Sequence, residues 1–138
     1  MTIGEVARAA GIRPSAIRYY ESQGLLEEPE RVGGRRRYGG QILDQLAVIR
    51  YARCAGFTMA ELRELVSGFS KGTRASVRWQ KLARRKIDEL DRFLASARQM
   101  RGLLERALRC RCLDLTECGV RIRARRSAET SPTGLRRP

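Results

Sequence analysis

Three of the four cysteines lie close together near the carboxyl end of the chain, at Cys110, Cys112 and Cys118. Thiolates bind soft metal ions, and one loop can bring three sulfurs with this spacing to a single centre. The neighbouring Arg109 and Arg111 are expected to lower the thiol pKa and to favour the thiolate form. The pattern predicts metal or redox chemistry. A structural zinc site, or burial of the cysteines as small apolar side chains, is the alternative.

Enzymatic chemistry is not expected from this sequence. The chain contains no histidine, which removes imidazole as a general base and as a metal ligand. We find neither a glycine-rich phosphate loop nor a nucleophile elbow. The remaining cysteine, Cys54, stands alone among apolar residues of a predicted helix, and we expect it to pack in the core.

The charge of the chain favours a polyanionic partner. Lys and Arg number 29 against 15 Asp and Glu, a formal charge of +14 over 138 residues. Nucleic acid fits this charge, because each phosphate that Lys or Arg neutralises releases counterions. A membrane surface is also anionic, so the charge alone does not distinguish these partners. No apolar run approaches the roughly 18 residues of a membrane span, and no secretory signal follows Met1. We therefore expect a cytosolic protein, in which a disulfide framework is not expected.

The amino-terminal part predicts two short helices. Thr2 and Glu5 have the spacing of a capping box, and the helix that they open runs to Ala10. Pro14 suits the first turn of a second helix, which we expect to end near Ser22. These elements, with the wing described next, are typical of a winged helix-turn-helix, which makes sequence-specific DNA binding the first hypothesis.

Residues 25–38 predict a short two-stranded wing, because they contain the pair Gly33-Gly34 and few helix-type repeats. A third helix is predicted over residues 41–55 and a fourth from residue 58, where Thr58 and Glu61 form a second capping box.

A polar hinge over residues 67–73 precedes a long helical pattern from about 75 to 108. A helix of roughly 50 Å cannot fold back on so small a body to bury its apolar residues. The pattern therefore predicts an antiparallel coiled coil with the same helix of a second chain, and hence a homodimer. The apolar residues recur four and three apart, with one break at Arg101; they are Ala83, Ile87, Leu90, Leu94, Ala97, Leu104 and Leu108.

The amino-terminal signature of the MerR family of bacterial transcription regulators is similar to a run in this chain. The resemblance covers roughly residues 1–110 and implies a mainly α fold, with a winged helix-turn-helix before the long dimerisation helix. The matching residues are Ile17-Arg18-Tyr19-Tyr20-Glu21, then Gly24-Leu25-Leu26, Pro29, and Gly34-x-Arg36-x-Tyr38.

Four segments follow from this interpretation. They are a DNA-binding domain (1–70), a hinge and dimerisation helix (71–109), a cysteine effector loop (110–120) and a basic tail (121–138). We expect the tail to be disordered, because it is rich in Arg, Ser and Pro and has no apolar period.

The DNA contacts must come from local clusters, because residues 1–70 carry ten basic but also eight acidic side chains. Small side chains at the start of a recognition helix let it approach base edges, and cations and hydroxyls hold phosphates. Arg35 departs from the family pattern, which commonly has Tyr there. From the residues and the resemblance together, the candidate DNA-binding residues are Ser15, Ala16, Arg18, Tyr19, Tyr20, Arg31, Arg35, Arg36 and Tyr38.

The resemblance also implies a role for the cysteines, because metal sensors of this family bind their inducer in the corresponding loop. Divalent sensors add a cysteine from the partner's long helix, at the position of Ser76 here. Cys112 and Cys118 are expected to form the core thiolate pair, with Cys110 as a third ligand or an alternate to Cys112. Linear binding by two thiolates would favour a monovalent ion such as Cu(I), and trigonal binding by three would favour Hg(II); Zn(II) also suits thiolates.

The spacing of these cysteines also resembles the iron–sulfur loop of SoxR, another regulator of this family. A [2Fe–2S] cluster normally needs four thiolates, and the first position falls on Ala107, so an intact cluster is the less favoured alternative. Two further functions remain as alternatives. The protein could be a regulator of organic ligands, or a basic nucleic-acid-binding protein without an effector. The resemblance implies operator DNA and RNA polymerase at the promoter as partners, with no role for a membrane.

Overall fold

The computed structural model describes residues 1–130, and this part of the chain is mainly helical, as predicted. It contains six helices and one two-stranded sheet. In chain order they are α1 (Ile3–Ala10), α2 (Pro14–Ser22), β1 (Glu30–Val32), β2 (Arg35–Arg37), α3 (Ile42–Cys54), α4 (Met59–Ser67), α5 (Ala75–Leu108) and α6 (Leu115–Thr130).

Side-chain caps fix where α1 and α4 begin. Thr2 accepts a hydrogen bond of 3.3 Å from the Glu5 backbone, while the Glu5 carboxylate accepts one of 2.6 Å from the Thr2 backbone. Thr58 and Glu61 repeat this reciprocal pair at the start of α4. Both predicted capping boxes are therefore confirmed, and each satisfies two backbone N–H groups that a helix start would otherwise leave unpaired.

The wing is a tight antiparallel hairpin. Strands β1 and β2 pair with Arg31 opposite Arg36, and the turn between them is made by Gly33 and Gly34. Their φ angles of 57° and 74° lie in the left-handed region that a two-residue hairpin turn of this hand requires. The hairpin thus places two arginines side by side on neighbouring strands.

One hydrophobic core joins the first four helices to the start of α5. Ile17 of α2, Ile49 of α3 and Leu62 of α4 are almost completely buried, and so is Leu82 of α5. The chain divides into two compact units, Met1–Arg92 and a second that begins at Phe93. The first turns of α5 thus contribute to the amino-terminal core.

A buried cation also fastens α5 to α4. The Nζ atom of Lys86 lies 2.9 Å from the Glu61 carboxylate and 3.0 Å from that of Glu89, and it lies 5.6 Å from the centre of the Phe57 ring. Burial raises the pKa of Glu61, but hydrogen bonds from the Thr58 backbone and from Lys86 outweigh it and hold that pKa below its usual value. The same ion pairs raise the pKa of Lys86.

The second half of α5 exposes a long row of apolar side chains. Ile87, Leu94 and Leu104 are 56%, 50% and 67% exposed, and their neighbours in the predicted seam are exposed as well. No residue from Ile87 to Leu108 is buried within the described chain. This is the face that the sequence predicts to pair with a second copy.

Two sequence predictions are wrong. Residues 121–130 were expected to be disordered but continue helix α6, and only the predicted tail beyond them, 131–138, lies outside the described residues. Cys54 was expected in the core but is exposed at the end of α3. Within the described residues, no helix is both long enough and apolar enough to cross a membrane.

Candidate DNA interface and thiol cluster

Helix α2 presents the side chains predicted to contact DNA. Ile17 is buried and anchors the helix, while Ser15, Arg18 and Tyr19 are exposed on its other faces. Ala16 is half-buried. A helix anchored on one side and polar on the other has the form of a recognition element.

Three of the predicted arginines share one cleft. Arg18 of α2, Arg31 of β1 and Arg36 of β2 line a cleft of about 370 Å³ between the helix and the wing. Glu21 and Glu28 also line it. Guanidinium groups are donors that phosphate oxygens readily accept, so this cleft is a candidate site for a phosphate.

Glu21 organises this cleft, and sequence analysis missed it. Its carboxylate accepts a hydrogen bond of 2.5 Å from the Tyr38 hydroxyl, and its other oxygen lies 3.3 Å from Nε of Arg36. Burial, and then the hydrogen bond to Glu21, raise the pKa of Tyr38 to about 12. One carboxylate therefore links α2 to the wing. No local sequence signal identifies a contact across 17 residues of chain.

The aromatic candidates are placed differently from one another. Tyr38 was expected to face phosphate, but its ring is only 6% exposed and belongs to the core. Tyr20 is half-buried against the same core, and its ring centre lies 6.0 Å from that of the exposed Tyr19. Arg35, on strand β2, is exposed. Tyr38 thus acts on the cleft through Glu21 rather than at its surface.

The structure brings the three clustered cysteines together in the second unit. The Sγ atoms of Cys110, Cys112 and Cys118 all lie within 4.8 Å of one another, and those of Cys110 and Cys118 are 3.6 Å apart. Cys110 is exposed and the other two are half-buried. Three sulfurs at these distances can bind one soft metal ion.

The start of α6 fixes the geometry of this cluster. Asp114 accepts a hydrogen bond of 2.8 Å from the Glu117 backbone, and Glu117 accepts one of 3.0 Å from the Leu113 backbone. This cap places Cys118 in the first turn of α6, directly after the loop that carries Cys112. The Asp-x-x-Glu spacing at 114–117 is a capping signal that sequence analysis overlooked.

The pKa values of the Cys110 and Cys112 thiols shift in opposite directions. The backbone N–H of Cys112, and then the thiols of Cys112 and Cys118, lower the pKa of Cys110, with a smaller contribution from the charge of Arg121. The thiol that donates these bonds is correspondingly harder to ionise, so the pKa of Cys112 rises to about 12. Cys110 is therefore the first of this pair to become a thiolate.

Ala107 and Ser76, the two positions at which relatives of this chain carry a further cysteine ligand, provide no sulfur here. Ala107 lies in the last turn of α5, where its carbonyl oxygen accepts a hydrogen bond of 3.1 Å from the Cys110 backbone. Ser76 is exposed in the first turn of α5, in the amino-terminal unit. Among the described residues the cluster thus has three thiols.

Comparison with known proteins shows the family. The family description "MerR HTH family regulatory protein" matches residues 1–68, and the description "MerR, DNA binding" matches residues 43–107. The chain therefore belongs to the MerR family, and it is a DNA-binding transcription regulator rather than an enzyme.

Individual relatives cover nearly the whole chain. The HTH-type transcriptional regulator CueR of Salmonella typhi is 35% identical over 122 residues, which cover 87% of this chain and 88% of that protein. HmrR of Rhizobium leguminosarum bv. viciae is 33% identical, over 87% of this chain and 94% of its own. The crystal structure of PbrR691 from Ralstonia metallidurans CH34 in complex with Lead(II) has a TM-score of 0.72 at 28% identity, covering 83% and 90% of the two chains.

Proposed function

We propose that this protein is a homodimeric regulator that binds an operator and responds to a soft metal ion held by its cysteine cluster. The observation that carries the proposal is the convergence of three thiols within 4.8 Å in a chain of the MerR family. A relative crystallised with Lead(II) supports a soft metal as the effector.

Operator binding is assigned to α2 and the wing. Arg18, Arg31 and Arg36, which share the cleft, would hold phosphates, while Ser15 and Ala16 at the start of α2 would approach base edges. Tyr19 and Arg35 are exposed beside them, and Tyr20 and Tyr38 support them from the core. RNA polymerase at a promoter, in the bacterial cytosol, would be the further partner.

The dimer is assigned to the exposed apolar row of α5. Burying apolar surface contributes roughly 25 cal/mol per Å², so a row this long has a large driving force to pair. In an antiparallel pair, the start of one α5 would lie towards the end of the other. Ser76 would then be the partner-helix residue offered to the cysteine cluster, and it carries a hydroxyl in place of a thiol.

The metal is assigned to the class that thiolates prefer, with Cu(I), Hg(II) and Zn(II) as candidates. Its ligands would be drawn from Cys110, Cys112 and Cys118, with Cys118 in every combination. An iron–sulfur centre like that of SoxR has less support, because Ala107 takes the place of a fourth thiolate. An organic effector has less support, because it would leave the three converging thiols without a role.

The test is a promoter assay with single cysteine variants. Cys118→Ser should abolish the response to added metal while operator binding stays intact, and Cys54→Ser should respond as the parent does. A Cys118→Ser protein that still responds would show that the cluster is structural and that the effector acts elsewhere.

A further inference from the structure

We infer that Cys112 binds the metal together with Cys110 and Cys118, so that one protomer holds a complete three-thiolate site selective for a soft divalent ion. This inference rests on the proposed function and names the class of ion. It also makes the site independent of any residue of the partner chain.

The separation of the Cys110 and Cys118 sulfurs fits a three-sulfur site better than a linear site formed by that pair. In a linear complex two sulfurs stand about 4.6 Å apart, twice a metal–sulfur bond of about 2.3 Å, whereas three sulfurs in a plane stand about 4.0 Å apart. The Sγ atoms of Cys110 and Cys118 are 3.6 Å apart. They would have to separate by about 1.0 Å for linear binding but only about 0.4 Å for trigonal binding.

Cys112 is already placed to complete the triangle. Its Sγ lies within 4.8 Å of both other sulfurs, and its side chain is half-buried rather than directed freely into solvent. The next residue, Leu113, is tied by its backbone to Glu117 of α6. Little of the chain must therefore be reordered for Cys112 to bind an ion that Cys110 and Cys118 hold.

Charge balance selects a divalent ion for three thiolates. Three thiolates around a divalent ion leave one net negative charge, whereas around a monovalent ion they leave two. The second charge adds repulsion within a site only a few ångströms across. Two thiolates around a monovalent ion also leave one net negative charge. Adding the third thiolate therefore shifts the preference from a monovalent to a divalent ion.

The inference is tested by adding one equivalent of Hg(II) per protomer to the reduced full-length protein under anaerobic conditions. X-ray absorption should find three sulfur neighbours around mercury in the parent and two in Cys112→Ser. The parent has four thiols, of which three should become unreactive towards a thiol reagent, leaving the exposed Cys54. Cys54→Ser, the matched control, should keep three sulfur neighbours and leave no reactive thiol.

Affinities provide a second measurement. Cys112→Ser should weaken Pb(II) binding by more than about tenfold, while Cu(I) binding, for which two thiolates suffice, should change by less than that. Two sulfur neighbours in the parent, or an unchanged affinity of Cys112→Ser for Pb(II), would overturn the inference.

The inference and the proposed function fail in different experiments. If mercury has two sulfur neighbours in the parent but Cys118→Ser loses the promoter response, the metal-responsive function stands and the third ligand is wrong. If Cys118→Ser responds normally while mercury has three sulfur neighbours in the parent, the three-thiolate site stands and the proposed metal-responsive function is wrong.

Discussion

The hydroxyl group of Tyr38 donates a hydrogen bond of 2.5 Å to the carboxylate of Glu21. Tyr38 follows the second strand of the wing, whereas Glu21 lies in the last turn of α2. Because the same carboxylate also pairs with Arg36 at 3.3 Å, the position of the wing arginine depends on the helix. One carboxylate therefore ties the wing to α2 through both a phenol and a guanidinium group.

The arginines of the cleft should each contribute to the salt dependence of DNA binding. In Arg18→Ala or Arg36→Ala, the slope of log K against log[salt] for operator binding should fall by about one, since each phosphate contact releases about one counterion. Binding titrations over a range of salt concentrations measure this. Arg98→Ala, an exposed arginine of the second unit, should leave the slope unchanged; an equal fall there would indicate a general charge effect.

The phenol of Tyr38 should make stability depend on alkaline pH. Its pKa rises from 10.0 to about 12 on folding, so the folded state favours the neutral phenol. The stabilisation is complete below pH 10 and disappears as the pH rises through 12, a change of about 2–3 kcal/mol. Urea unfolding at pH 8 and pH 11 should show a smaller loss of stability in Tyr38→Phe than in the parent. If Tyr19→Phe reduces the loss equally, the phenol of Tyr38 is not its source.

Replacing Lys86 should loosen the joint between α4 and α5. Lys86→Met keeps the length of the side chain but removes the ion pairs with Glu61 and Glu89, and it should lower the free energy of unfolding by about 2 kcal/mol. The folded pKa of Glu61 is lowered, so its stabilisation is present above pH 4.5 and is lost as the pH falls through the folded pKa.

The Lys86→Met variant should therefore lose less stability between pH 7 and pH 4 than the parent, as measured by chemical unfolding at both pH values. Lys81→Met, on the exposed face of α5, is the control and should keep the parent's pH dependence. An unchanged pH dependence in Lys86→Met would show that Lys86 does not perturb Glu61.

The exposed row on α5 should determine the oligomeric state. Leu94→Glu combined with Leu104→Glu places charges on side chains that are 50% and 67% exposed in the single chain. Light scattering should report a dimer for the parent and a monomer of 15.7 kDa for the double variant. Gln99→Glu, also exposed on α5, should leave the dimer intact. A monomeric parent at micromolar concentration would contradict the assignment.

Elements with a strong period or cap were predictable from the sequence. The long helix was expected from about 75 to 108 and spans Ala75–Leu108, because its apolar residues repeat over about seven turns with a single break and no proline interrupts them. Helix α6 was missed, because its arginines lie on several faces and only the cap at Asp114 marks its start.

Contacts between residues far apart in the sequence were harder to predict. The role of Glu21 depends on how the wing packs against α2, and no pattern of spacing encodes that packing. Cys54 was expected in the core because its neighbours are apolar, but the face of α3 that is buried follows Leu46, Ile49 and Ala52. The cysteine cluster was predictable because its three members are local in sequence, so one loop suffices to bring them together.

The cap that starts α6 between Cys112 and Cys118 has a consequence for chain entropy. Cys110 and Cys118 stand at the two ends of a nine-residue segment that includes both a loop and the first turn of a helix. An ion bound at both ends closes that segment into a ring and removes unfolded conformations in which the first turn of α6 is frayed. Binding of a metal ion to the cysteine cluster should therefore slow amide hydrogen exchange at the start of α6, and it should do so in the absence of DNA.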